Sequence, residues 1–440
     1  MPSQAAILRA KKDKTLTCRF LPSLTWIEHG FRVLLSKNSE MSSNDLTANK
    51  IIALAAVLAG AAIPVSTAAQ NIGAALLVLM FLFRNPRWAQ IKPYIIHPFS
   101  LVGLFLGLYL AIGTLWTSAD LATAWGFVWK MRAYYIIPVL LFFFSCKYLR
   151  NYVLYGFGIS SLTVILISFF SAAFDYPVFK GLHGDWFVFR THTNHNFFAA
   201  LLAVGLTTLV LSGPMETKRK LLYLLLISLA GFDILFLVTG RTGQIVFLCM
   251  MAMVLLLWNW RRGLGILVIA SLTLAIVLPR YSTSFDNGVA SAEADLIAYS
   301  QGNANTAIGS RLAWHKNSVR MIMEEPWFGH GTGSFKTQYA RISELAAHAP
   351  LSENPHNDYL WLSVELGLPG GLMLMGLLIA AAWQGRRLPD PSKWTLYALL
   401  LGMGISTIAN SFFTDNVTGL AFITLSCALL SGEKRGKLQT

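Results

Sequence analysis

Long apolar runs alternate along the chain with short polar segments that are mostly basic. Runs such as 51–69, 101–116 and 221–238 are long enough to cross about 30 Å of hydrocarbon as α-helices, whereas barrel strands would be shorter and would alternate in polarity. The runs of this kind are 51–69, 71–83, 99–117, 133–145, 152–174, 196–212, 221–238, 243–259, 263–279, 357–383, 394–413 and 416–431. The pattern therefore predicts an all-α polytopic membrane protein with about 12 transmembrane helices.

One long polar stretch, 280–355, interrupts this pattern and separates two sets of apolar runs. Within it, Leu312, Val319 and Met323 stand among polar neighbours, as they would on an amphipathic helix over 311–323 lying at an interface. A second helix is predicted further on, over 335–347, after a glycine-rich segment. The stretch is therefore predicted to be a large folded loop over the bundle.

These features divide the chain into five parts. The basic N-terminal segment, 1–48, is interpreted as an upstream extension, because Met41 would serve equally well as a start. Transmembrane helices 1–9 are assigned to 49–279, the loop domain to 280–355, helices 10–12 to 356–432 and a tail to 433–440. No small-residue cleavage site follows the first apolar run, which therefore reads as an uncleaved anchor.

Composition and charge agree with a membrane protein. The chain is 55% hydrophobic and only 13% charged, whereas soluble chains carry about 25% charged residues. The net charge of +14 comes from basic residues that punctuate the apolar runs, so it predicts topology rather than nucleic-acid binding. By the positive-inside rule, the basic loops and both termini are predicted to be cytoplasmic, and 280–355 to lie outside.

Neither disulfides nor a metal site are indicated. The cysteines, Cys18, Cys146, Cys249 and Cys427, are scattered along the chain. His192 and His195 have an i, i+3 spacing, but no acidic residue or third histidine stands at a familiar zinc spacing. We therefore expect neither a metal nor another cofactor.

His356 lies where the polar stretch meets the next apolar run. An imidazole near pH 7 is the usual side chain for accepting a proton from a hydroxyl nucleophile. The alternative is a structural histidine before a helix that Asn357 and Asp358 cap. Position alone leaves both interpretations open.

Three arginines on the predicted outer side are candidates for binding an anion. Arg241 lies in a short turn between two apolar runs with no acidic residue nearby, and its guanidinium could bind two phosphate oxygens of a pyrophosphate. The alternative is an arginine that extends to lipid headgroups. Arg190 and Arg311 each stand at the edge of a predicted helix, so all three arginines could converge on one anion.

The order of these motifs resembles that of the O-antigen ligase and polymerase superfamily. The arginine turn at 240–243 is followed by Ser310-Arg311 with Trp314, by Pro326-Trp-Phe-Gly-His-Gly-Thr-Gly, and by Pro355-His-Asn-Asp-Tyr-Leu with Glu365-Leu-Gly-Leu behind it. The resemblance is strongest over 190–371. Within the superfamily, the chain is most similar to the O-antigen ligases of Gram-negative bacteria.

This resemblance implies a metal-independent, inverting glycosyl transfer of the GT-C type. The donor would be O-antigen linked to undecaprenyl pyrophosphate and the acceptor lipid A–core, at the periplasmic face of the inner membrane. His356 matches the essential loop histidine of the family, and Arg241 and Arg311 match its two recurring arginines. Arg190 fits as a further pyrophosphate-binding residue, and His195, Asn357 and Asp358 are assigned supporting roles.

Three other functions stay open on the sequence. A polymerase that joins repeat units on the same carrier would use the same histidine and arginines, and so would a protein O-oligosaccharyltransferase. A flippase for lipid-linked glycans would use the arginines without breaking a bond. Transporters often carry repeat halves with charges at the membrane midplane, whereas the charges here stand at helix ends and in the loop.

Overall fold

The computed structural model describes residues 43–281, 283–345 and 350–432. Most of the predicted N-terminal extension, up to residue 42, and the predicted tail, 433–440, lie outside the described residues. The chain divides into two units, 1–50 and 51–440. Of the first unit, only the opening turns of a helix are described.

The described segments are helical and contain no strand; one isolated bridge pairs Leu182 with Asp185. The α-helices are α1 (Ser43–Ala61), α2 (Thr67–Arg84), α3 (Trp88–Ile95), α4 (Pro98–Ile112), α5 (Leu121–Lys130), α6 (Ile137–Phe144), α7 (Lys147–Ala173), α8 (His192–Leu211), α9 (Thr217–Phe232), α10 (Arg241–Trp258), α11 (Trp260–Tyr281), α12 (Thr283–Ser300), α13 (Ala307–Glu324), α14 (Phe335–Leu345), α15 (Asp358–Gly385), α16 (Asp390–Ala409) and α17 (Thr418–Leu430). In the core, α8 packs against α9, α10 and α16, and α15 packs against α4 and α13.

Eight helices of the described segments are long and apolar enough to cross a membrane, which makes the chain a multi-pass membrane protein. They are Thr67–Arg84, Pro98–Leu115, Lys147–Ala173, His192–Leu211, Thr217–Leu237, Arg241–Trp258, Trp260–Tyr281 and Asp358–Gly385. Each coincides with one of the predicted runs. The number of twelve spans stays a prediction, because the other four runs form helices that do not meet this standard.

Two of those four runs show why an apolar run need not be one long helix. The run at 51–69 is divided: α1 ends at Ala61, Pro64 follows in a turn, and the Ser66 side chain accepts a hydrogen bond from the Ala69 amide to start α2. The run at 133–145 yields only the eight residues of α6. At 1.5 Å per residue, α6 is about 12 Å long and cannot span the hydrocarbon by itself.

The polar stretch 280–355 contains three described helices rather than the two that were predicted. Helix α13 matches the predicted amphipathic helix at 311–323, and α14 begins at Phe335 as predicted. Helix α12, over 283–300, was missed, because its few apolar residues show no clear helical period. The loop is therefore largely helical where it is described.

A break in α15 positions the glycine-rich segment that follows α13. Gly367 has a φ of 70° inside the helix, and Pro369 has no N–H, so carbonyl groups before the break lose their partners within the helix. The His330 and Gly331 amides donate to the carbonyls of Val364 and Glu365 at 2.9 and 2.8 Å. These bonds join the glycine-rich segment to the broken helix and give partners to the two carbonyl groups that the break leaves unpaired.

Candidate functional site

The candidate site is built around His356, in the turn that leads into α15. Its φ of 52° is in the left-handed region, which is uncommon for a residue other than glycine. The His356 amide donates to the Asn354 Oδ1 at 2.9 Å, and Ser411 Oγ donates to the same oxygen at 3.2 Å. The unusual backbone conformation is therefore held by side chains from both sides of the turn.

The ring of His356 is oriented by Asn410, which follows the last residue of α16. The His356 Nδ1 lies 3.1 Å from Asn410 Oδ1, and the backbone amide of Ser411 donates to the same oxygen at 3.0 Å. Because an oxygen that receives an amide proton is an acceptor, the Nδ1 of His356 must be the donor. The neutral ring therefore carries its proton on Nδ1, which leaves the lone pair of Nε2 available to accept a proton.

One face of α13 covers the His356 ring. Arg311, Trp314 and His315 have i, i+3 and i, i+4 spacings and so lie on one side of this helix. The Trp314 ring stacks on the His356 ring with centroids 5.0 Å apart and an interplanar angle of 28°, and its indole N–H donates to the Pro350 carbonyl at 2.9 Å. The stack fixes the plane of the imidazole.

The surroundings of His356 and of the neighbouring His315 favour the neutral form of both rings. Burial lowers the pKa of His356, the hydrogen bond to Asn410 opposes this change, and the charge of Arg311 adds to it. The pKa of His315 is also lowered, first by burial and then by Arg311 and His356, against the effect of its bond to the Pro355 carbonyl. A neutral His356 is the form that can act as a base at pH 7.

Arg241 and Arg311 lie close enough for their charges to repel. Burial lowers the pKa of Arg311 first, and the charge of Arg241 lowers it further. Arg241 is the first residue of α10, where free backbone amides also favour an anion, and it donates to the Gly288 carbonyl at 2.9 Å. Two cations beside a helix N-terminus form a local excess of positive charge that a bound anion would neutralise.

Arg190 belongs to a different set of contacts. Its guanidinium donates to the Thr67 hydroxyl at the start of α2, and its Nε and Nη2 are buried without a partner among the described residues. Burial lowers its pKa, and the charge of Asp415 opposes this effect. The charges of Arg311 and Arg241 thus lie near enough to act on His356 and on Arg311, respectively, while a role for Arg190 on the same anion stays a prediction.

His195 lies inside the bundle. Its Nε2 lies 2.7 Å from Asp233 Oδ2, and both side chains are buried. Asp233 begins a π-helical turn, Asp233–Leu237, that leads towards the Arg241 turn. The pair joins α8 to that turn, so the contacts of His195 support a structural role; its predicted part in the site stays untested.

Asn357 caps α15, and Asp358 connects this helix to the segment between α16 and α17. The Asn357 Oδ1 accepts from the Leu360 amide at 3.2 Å, as the predicted helix cap does. The buried Asp358 carboxylate accepts from the Phe413 amide and the Thr414 hydroxyl, each at 2.6 Å. The Asp358 bonds hold the segment that also carries Asn410, so Asp358 acts on the geometry of His356.

The Glu365 carboxylate anchors the glycine-rich segment in a similar way. It accepts from the Gly333 amide at 2.9 Å and from the Trp361 indole N–H at 2.8 Å. Gly333 has a φ of 79°, and a Cβ there would lie 2.9 Å from the Ala124 Cα. Glycine is therefore needed at this position for both its conformation and the close approach of α5.

Sequence reasoning gave no role to three residues that contact or perturb the His356 ring. Trp314 belongs to a motif that does not indicate this contact, and no sequence pattern marks His315 or Asn410. Asn410 lies 54 residues after His356, so only the packing of α15 against α16 brings them together. Within the described residues, no three His, Cys, Asp or Glu side chains are placed to hold a metal ion.

Comparison with known proteins gives two similarities. Residues 223–375 match a family model described as "O-Antigen ligase". An uncharacterized protein of Haemophilus influenzae is 26% identical over 117 residues, which are 26% of this chain and 29% of that protein. The chain therefore matches less than a third of that relative's length. The family match includes Arg241, Arg311 and His356 and ends within α15.

Proposed function

Since residues 223–375 place the chain in the O-antigen ligase superfamily, we propose that it is an O-antigen ligase of the GT-C type. It transfers polysaccharide from undecaprenyl pyrophosphate to a sugar hydroxyl of lipid A–core. The observation that carries this proposal is the arrangement of a neutral, Nδ1-protonated His356 beside Arg311, which in turn lies beside Arg241. These groups supply the base and the cations that the reaction needs.

The chemistry follows from what each group can do. His356 Nε2 removes the proton of the acceptor hydroxyl as its oxygen bonds to the anomeric carbon of the donor sugar. The bond from that carbon to the pyrophosphate oxygen breaks, and the pyrophosphate leaves on the opposite face, which inverts the configuration. Arg241 and Arg311 neutralise the charge that grows on the leaving group, so the step requires no divalent ion.

The membrane provides much of the orientation. Both proposed substrates are lipid-linked, so their chains stay in the bilayer while their sugars meet below α13 and α14. Holding two reactants in this way turns their encounter into an oriented, nearly intramolecular one. We place the site at the periplasmic face of the bacterial inner membrane, with both termini cytoplasmic, in agreement with the positive charge of the alternate loops.

Purified protein can distinguish this activity from its alternatives. Carrier-linked O-antigen is offered in detergent with lipid A–core, with a second carrier-linked glycan, or with an acceptor protein. We expect the glycan to be joined to lipid A–core and undecaprenyl pyrophosphate to be released. Transfer only to the second glycan would identify a polymerase, and transfer only to the protein an oligosaccharyltransferase. Absence of any product from folded protein that still binds the carrier-linked donor would point to a flippase.

A further inference from the structure

A large groove lies beside the segment that positions His356 and is not used by the proposed donor site. Its volume is about 1190 Å³, and it is bounded by α2, by the end of α5 with the turn after it, and by residues 413–420. Small-molecule sites usually measure about 300 to 1,000 Å³. The groove is thus large enough for more than one hydrocarbon chain, and its lining is mostly apolar.

The groove is polar and cationic at one end and apolar along its length. Asn71 and Arg132 lie at the polar end, and α2 continues from there through Ala75 to Leu79. At 1.5 Å per residue, the helix covers about 12 Å between Asn71 and Leu79. This arrangement matches a lipid whose headgroup lies at the interface and whose chains extend into the hydrocarbon.

Arg132, at the polar end, forms no ion pair with a carboxylate among the described residues. Arg132 hydrogen-bonds to neutral groups, namely the side-chain oxygens of Asn71 and Asn416 and the Trp129 carbonyl, and burial lowers its pKa. Lys130 also lines the groove, but its charge acts on the carboxylates of Glu353, Asp358 and Glu365. A half-buried guanidinium that meets only neutral groups is suited to a phosphate, which would repay its desolvation.

Two exposed tryptophans indicate the depth of this end. Trp125 and Trp129 line the groove on either side of one turn of α5, and they are 54% and 70% exposed. Tryptophan favours the membrane–water interface, where lipid headgroups lie. Asp415 also lines the groove, but its charge acts on Arg190, and within the described residues it forms no ion pair with Arg132.

The groove also adjoins the segment that orients the base. Phe413 lines the groove, and its backbone amide donates to the Asp358 carboxylate. Asn410, three residues earlier, accepts the hydrogen bond that orients the His356 ring. The proposed pyrophosphate site uses α10 and α13, whereas the groove uses α2, α5 and the segment before α17. Two lipid substrates would thus reach His356 from different elements.

We propose that this groove binds the acceptor lipid, a phosphorylated lipid with several acyl chains, with Arg132 holding its phosphate. Its role as acceptor site rests on the proposed function. Arg132 offers the phosphate a planar pair of donors, which a lysine could not offer. The acyl chains lie against Ala75 and Leu79.

The test measures binding without turnover. The full chain, purified in a mild detergent, is titrated with lipid A and, separately, with diacylglycerol, and the bound fraction is read by native mass spectrometry. Arg132→Gln removes the cation, and Ala75→Trp fills the groove without touching a charge. Matched controls are Arg219→Gln, whose guanidinium contacts Tyr223 on the same helix, and Ile159→Trp, which is 63% exposed on α7.

We expect Arg132→Gln and Ala75→Trp each to weaken lipid A binding by about tenfold or more, with both controls unchanged. Binding of diacylglycerol should be insensitive to Arg132→Gln, because it carries no phosphate. Binding of undecaprenyl pyrophosphate should persist in both variants, which also shows that they are folded. Wild-type affinity for lipid A in both folded variants would overturn the proposal, as would equal losses of lipid A and diacylglycerol in Arg132→Gln.

This outcome is separate from that of the proposed reaction. Lipid A binding is measured with no donor present, so it does not depend on glycosyl transfer. In the transfer assay, Ala75→Trp should raise the KM for lipid A–core and leave that for the carrier-linked donor unchanged. A rise in the donor KM alone would assign the groove to the carrier and contradict the acceptor assignment.

Discussion

Asn410→Asp offers a sharp test of how the site sets the state of its histidine. In the wild type, Asn410 accepts the Nδ1 proton of His356 at 3.1 Å and the Ser411 amide proton at 3.0 Å. An aspartate has the same size and can accept both bonds, so the ring keeps its orientation and tautomer. What changes is the charge beside the imidazole.

The expected shift follows from the sign of that charge. Burial and Arg311 hold the pKa of His356 below its ordinary value, so the wild-type rate should fall only as the pH drops below about 6.5. A carboxylate within hydrogen-bond distance stabilises the protonated ring and raises a pKa by about 1 to 3 units. Because the site is only partly buried, we expect about 1 to 2 units, and the base is then lost at a correspondingly higher pH.

The assay is the pH dependence of kcat with both substrates saturating. The acidic limb of Asn410→Asp should lie about 1 to 2 pH units above that of the wild type. Asn151→Asp, near the start of α7, adds the same charge outside the site and should leave the limb in place. An unmoved limb in folded Asn410→Asp would refute the assignment of that limb to His356.

Three further predictions address the anion site, the metal independence and the topology. Arg311→Ala should weaken binding of undecaprenyl pyrophosphate by about 10- to 100-fold, and Arg241→Lys should also weaken it, because an ammonium cannot bind two phosphate oxygens at once; unchanged affinity and turnover in both would leave only contacts with lipid headgroups. Excess EDTA should leave transfer intact, and loss that magnesium restores would show a required metal. A cysteine introduced at Ser343, on α14, should react with an impermeant thiol reagent from the periplasmic side. Reaction only in inverted vesicles would show that the loop 280–355 lies on the cytoplasmic side.

The helices that the sequence predicts well are those with a strong and continuous hydropathy pattern. Eight apolar runs correspond to long helices, and α13 was recognised from its amphipathic face. Hydropathy alone did not show that the run at 133–145 yields only the short α6. A hydropathy pattern measures the polarity of a segment, whereas a break depends on the local backbone and on its neighbours.

The site shows the same limit. His356, Arg241 and Arg311 could be proposed because their chemistry is unusual beside apolar helices and their order resembles a known family. Asn410 could not, since an asparagine at the end of a helix usually signals a cap, and its bond to His356 exists only once α15 and α16 are packed. The contacts of Arg190 with Thr67 and of His195 with Asp233 likewise depend on tertiary structure.

The central claim is that His356 removes the proton of the acceptor, and transfer by His356→Gln tests it most directly. Glutamine keeps a polar side chain that can donate to Asn410 but has no basic nitrogen. We expect the variant to fold, to bind undecaprenyl pyrophosphate as the wild type does, and to transfer glycan about 10² to 10⁴ times more slowly with both substrates saturating. Near-normal turnover by this variant, with a wild-type rate that is flat from about pH 4.5 to 8, would contradict the claim and limit His356 to orienting a substrate.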